Sequence, residues 1–78
     1  MKNQVTDPVT SSWQGAVTTV RGSVVEVRFA GELPPIHQLL FADENRIALE
    51  VLMQRNAHTV RCIALTPTQG LARGMPVR

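Results

Sequence analysis

Three features of this 78-residue sequence predict an all-β fold closed into a small barrel. β-Branched and apolar residues alternate with polar ones over short runs, turn formers recur about every ten positions, and no stretch has a convincing helical period. Five or six strands fit that spacing. Closing so small a sheet removes the exposed edges through which strands aggregate.

Residues 1–14 are rich in Thr, Ser, Asn and Gln and read as a flexible lead-in, with Trp13 placed to cap one end of the core. From Ala16 to Phe29 β-branched residues dominate, and Gly22 divides them into two strands or one sharply bent strand. In "SVVEVRF", Val25, Val27 and Phe29 share one face while Val24, Glu26 and Arg28 share the other, the pattern of a half-buried strand. In "GELPPIHQLL", Pro34 and Pro35 cannot donate to a ladder and push Leu33 into extended geometry. They end the strand that reaches Phe29 and predict a fixed, extended crossing to the next.

"QLLFADENRIALEVLM" divides at Asp43, Glu44 and Asn45, polar turn formers that favour a hairpin. Beyond them Ile47, Leu49, Val51 and Met53 are expected on one face, with Ala48, Glu50 and Leu52 on the other. The good helix formers in "NRIALEVLMQR" leave a helix as the alternative there. In "NAHTVRCIALT", Val60, Cys62 and Ala64 alternate with Thr59, Arg61, Ile63 and Leu65, and Asn56 supplies a residue that tolerates a left-handed turn. Pro67, Gly70 and Gly74 punctuate the tail, which leaves "MPVR" as a short final strand.

One core is all that this length supports. A chain of this size buries about 60% of its unfolded surface, so partners that cover the outside would add to its stability. The net charge of +2 comes from eight basic and six acidic residues scattered without runs. With Trp13, Phe29 and Phe41 as the aromatics, there is little material for a base-stacking groove, and a free-standing barrel that binds single-stranded nucleic acid is the weaker reading. Cys62 is the single cysteine, which excludes an internal disulfide and fits a reducing, cytoplasmic compartment. No apolar run approaches the ~18 residues of a membrane span, and the first residues lack the apolar core of a signal peptide.

The chemistry-bearing residues give no active site. "QGLARGMPVR" carries two glycines without the lysine of a phosphate loop, so they read as turn residues. His37 and His58 have no ligand partners at metal spacing and read as surface or interface side chains. Cys62 lies in an apolar strand where burial leaves a thiol inert. Asp43 and Glu44 diverge as neighbours in a turn and read as a solvated hairpin tip. No catalytic, cofactor-binding or metal-binding residue is assigned within this chain.

In order, "GAVTTVRGSVVEVRF", "ELPPI", "RIALEV", "TVRCIAL" and "TQGLARGMPVR" resemble the amino-terminal domain of the catalytic β subunit of F-type ATP synthases. The resemblance runs from Gly15 to Arg78, and "LPPI" and "TVRCIAL" favour the β subunit over its α relative. It implies a barrel domain at residues 15–78 with six strands, flanked by α subunits in an alternating ring of six. That barrel would serve as a structural collar in a peripheral complex on the cytoplasmic side of the inner membrane. ATP, ADP and magnesium would be handled by a nucleotide-binding domain outside this sequence. Arg21 and Ser23 stand where the family usually has an aliphatic residue and a proline, the 43–45 hairpin is short, and Asn56 replaces a common glycine. These departures suggest a divergent branch, such as the alternate F-type enzyme associated with sodium transport.

Overall fold

The computed structural model describes residues 13–78; the expected flexible lead-in lies outside the described residues except for Trp13 and Gln14. Six strands form: β1 (Gly15–Arg21), β2 (Val24–Phe29), β3 (Leu39–Ala42), β4 (Ile47–Gln54), β5 (Thr59–Ala64) and β6 (Pro76–Val77). They close in the order β1-β2-β5-β4-β3-β6, and every neighbouring pair is antiparallel. β3, β4 and β5 meander while β2 lies beside β5, a Greek-key connection. The "IALEVLM" run is strand β4, because pairing on both sides satisfies its backbone and overrides the helix propensity of its Ala, Leu, Glu and Met.

Period-two alternation builds the core. Val17, Val25, Val27, Phe29, Leu40, Ala42, Ile47, Leu49, Val51, Val60, Cys62 and Val77 turn inward and are buried. Trp13, two residues before β1, is half-buried and packs against this cluster. Since all six strands contribute to one interior and each has both neighbours, the barrel has its own complete core.

Met53 and Asn56 depart from the sequence expectations, for local reasons. Met53, expected inward, is exposed, because the β4–β5 register shifts between Val51 and Met53. Such a bulge adds one residue to one strand and reverses the facing of the residues beyond it, so Leu52 and Met53 both reach solvent. Asn56 is not among the residues with positive φ. Its Oδ1 instead accepts a hydrogen bond from the His58 backbone N–H at 2.9 Å, so asparagine serves this turn through its side chain.

The β1–β2 turn places Gly22 at φ 60° before Ser23, the first central position of a hairpin that glycine enters without steric cost. At the β3–β4 tip, Asp43, Glu44 and Asn45 all have positive φ, between 54° and 69°. Asp and Asn tolerate this region, whereas Glu44 has no such advantage. The crossing from β2 to β3 is free of turns from Glu32 to Pro35, but it is not extended throughout, since a turn follows at Ile36 and His37, with His37 at φ 75°. Pro34 is fully buried, and Gln38 N–H closes a turn on the Pro35 carbonyl at 3.1 Å. The crossing is then tied to β4 by His37 N–H on the Val51 carbonyl (2.7 Å) and Val51 N–H on the Gln38 carbonyl (3.0 Å).

Candidate interaction surface

The inward residues of β3, β4 and β5 leave their neighbours pointing out, and on this wall many of those are apolar. Ile36, Leu39, Phe41, Leu52, Met53 and Leu65 are each 37–54% exposed. Register places three of them near one another: Phe41 lies opposite Ala48, whose carbonyl accepts from Leu65 N–H, and Leu39 lies opposite Glu50, which in turn faces Ile63. Single exposed apolar side chains are ordinary on a protein surface, but a row running across adjacent strands marks an interaction site. Glu50 stands within this wall and its Oε2 lies 2.8 Å from His37 Nδ1.

A second cluster is polar. Glu26 points outward from β2, yet its side chain is only 9% exposed because two arginines cover it. Arg55 Nη1 donates to Oε1 at 2.6 Å and Arg61 Nε donates to Oε2 at 3.0 Å, with Arg61 Nη2 in ion-pair contact 3.0 Å from the same oxygen. Burial by itself would raise the Glu26 pKa. The hydrogen bonds and positive charges of Arg61 and Arg55 outweigh burial and hold the carboxyl below its ordinary value.

The residues singled out from the sequence are dispersed. His37 lies on the crossing, His58 in the exposed β4–β5 turn, and Asp43 and Glu44 at the β3–β4 tip. Cys62 faces the core, where burial pushes its thiol up to about 12. Among the described residues, no three His, Cys, Asp or Glu side chains come together as a metal site would require. Phe29 is in the core, which leaves Phe41 and the half-buried Trp13 as aromatics at the surface. The Glu26 cluster escaped sequence reasoning because its partners lie 29 and 35 residues away. Given the β2–β5 register, which sets Glu26 opposite Arg61, outward parity would have found one of them.

Residues 17–78 match the family model described as "ATP synthase alpha/beta family, beta-barrel domain". The chain belongs to this family. Within it, the sequence is similar to the amino-terminal barrel of β subunits. It is 73% identical over 63 residues to "ATP synthase subunit beta 2" of Polaromonas naphthalenivorans, covering 81% of this chain and 13% of that protein. To "ATP synthase subunit beta 1" of Psychromonas ingrahamii it is 64% identical over 63 residues, with 81% of this chain and 13% of the relative covered. To "ATP synthase subunit beta 1" of Pseudoalteromonas atlantica it is 46% identical over 82 residues, covering 96% and 15%. The chain therefore spans 13–15% of the length of these relatives. The six-stranded closed barrel is the fold that the resemblance implied.

Proposed function

We propose that this barrel is the structural collar of an ATP synthase β subunit. In this reading residues 15–78 pack between the barrels of two α subunits in an alternating ring of six. The ring braces the nucleotide-binding domains against distortion as the subunit couples ATP synthesis or hydrolysis to ion transport. ATP, ADP and magnesium are handled elsewhere in the full-length subunit, and this chain contributes assembly in place of catalysis. The complex is peripheral to the inner membrane on its cytoplasmic side, and the divergent residues around Gly22 fit an alternate, sodium-associated branch.

One observation carries the assembly role: the apolar wall formed by Leu39, Phe41, Leu52 and Leu65, on a barrel whose core is already complete without them. Apolar side chains left outside a finished core gain most from a partner that removes them from water, at about 25 cal/mol per Å². The test is the double substitution Leu39→Asp with Phe41→Asp in the full-length subunit, mixed with its α partner and followed by sedimentation. Both side chains are exposed, so the fold should survive, as circular dichroism would show, while association is lost. Unchanged association by a folded double variant would overturn the assembly role of this wall.

A further inference from the structure

A second surface of the barrel has a chemistry different from that of the apolar wall. In the closed order β1-β2-β5-β4-β3-β6, β2 stands three places from β3, and the two surfaces meet where Arg61 pairs with Met53. There Thr19, Arg21, Val24, Glu26, Arg55 and Arg61 line an open groove of about 640 Å³. Both oxygens of Glu26 are engaged by Arg55 and Arg61, so among the described residues one carboxylate and three guanidinium groups share the groove, a surplus of two positive charges. Arg21 forms no ion pair with any described residue. Arg55 and Arg61 are 52% and 39% exposed and retain free N–H donors toward the groove.

Each guanidinium presents a planar fork that matches a carboxylate, and Glu26 already pins two of them, which reduces the side-chain entropy lost when a further anion arrives. The groove has no aromatic lining residue on which a base could stack. Two charges in one groove also fall short of the basic stripe that follows a phosphate backbone. We infer that this groove receives an aspartate or glutamate side chain from the adjoining subunit's barrel. The barrel then meets its two neighbours through unlike faces, one apolar on β3 and β4 and one electrostatic on β1, β2 and β5. This inference rests on the assembly role proposed above.

Arg21 is the residue to change, because removing Arg55 or Arg61 would strip a buried carboxylate of its partners and damage the fold. The experiment measures association of the full-length subunit with its α partner across a salt series, using Arg21→Ala, Arg21→Glu and, as a charge-matched control, Arg73→Glu, which lies outside the groove. Unaltered association should weaken as salt screens the contact. Arg21→Ala should cost about two- to fivefold and flatten the salt dependence. Arg21→Glu should cost about tenfold or more through like-charge repulsion, and clearly more than Arg73→Glu.

Salt-insensitive association, or an Arg21→Glu effect no larger than that of Arg73→Glu, overturns the acidic-partner groove. If Leu39→Asp with Phe41→Asp still blocks association in that case, the collar role stands and only the groove assignment falls. No association by the unaltered subunit overturns both. Salt-sensitive retention of a single-stranded oligonucleotide by the free subunit, lost in Arg21→Glu, would reassign the groove to nucleic acid and overturn the proposal.

Discussion

Replacing Glu26 with glutamine removes a negative charge at the point where two N–H donors converge, one each from Arg55 and Arg61. Fully buried, each charge-assisted hydrogen bond would contribute about 1.5–3 kcal/mol. The arginine ends are 52% and 39% exposed, so water competes and each bond moves toward the ~0.2–1 kcal/mol of surface pairs. The amide oxygen of glutamine still accepts one of the two. The net loss is therefore about 1 kcal/mol, which at a urea slope near ~1 kcal/mol/M lowers the unfolding midpoint of the 78-residue chain by about 1 M. The loss must also depend on pH. Glu26 is held below its ordinary 4.5 when folded, so its contribution is complete above that value and disappears as pH falls through the folded value. The gap between native chain and Glu26→Gln should thus be full at neutral pH and narrow on acidification below about 4.5. Equal midpoints at neutral pH, or a gap of the same size near pH ~3, would refute the claim that these arginines hold an ionised carboxylate.

Two further substitutions or treatments probe the barrel itself. Gly15 lies opposite Phe29, and an added Cβ would come within 2.7 Å of the Arg28 carbonyl oxygen and 2.8 Å of the Phe29 ring. Gly15→Ala should therefore destabilise the chain by about 1–3 kcal/mol, seen as a lower thermal midpoint, and an unchanged midpoint would mean that β1 and β2 do not approach so closely. Cys62, with its thiol raised from 9.0 to about 12, should resist alkylation at neutral pH until the chain unfolds. Its burial stabilises the fold fully below pH 9.0, and that contribution is lost as pH rises from 9.0 toward about 12. Rapid labelling of the folded chain would contradict the inward placement.

The parts of the fold legible in the sequence are those governed by nearest neighbours. Alternation in "SVVEVRF" and "TVRCIA" places Val25, Val27, Phe29, Val60 and Cys62 in the core, where they lie. Gly22, the 43–45 tip and the proline pair mark three connections correctly. The features that escape depend on contacts between distant segments. The bulge that exposes Met53 exists because β4 must match β5 across the barrel, and nothing in "EVLMQR" alone announces it. Likewise the Glu26 carboxylate reads as an ordinary outward charge, since its burial comes from side chains that the β2–β5 pairing brings over it. The apolar wall is readable only in part: Leu39, Phe41 and Leu65 are outward by parity, but their alignment into one surface requires the register of β3, β4 and β5.

Side-chain footprinting of the full-length subunit, free and assembled, tests the central claim most directly. Leu39, Phe41, Leu52 and Met53 stand 37–47% exposed on the barrel and should react with hydroxyl radicals in the free subunit. If the apolar wall is the assembly surface, modification of Leu39 and Phe41 should fall several-fold, about the change expected when a contact core is fully desolvated. The buried Leu40 and Leu49 should remain unreactive in both states. Equal modification of Leu39 and Phe41 before and after assembly would contradict a collar contact through β3 and β4.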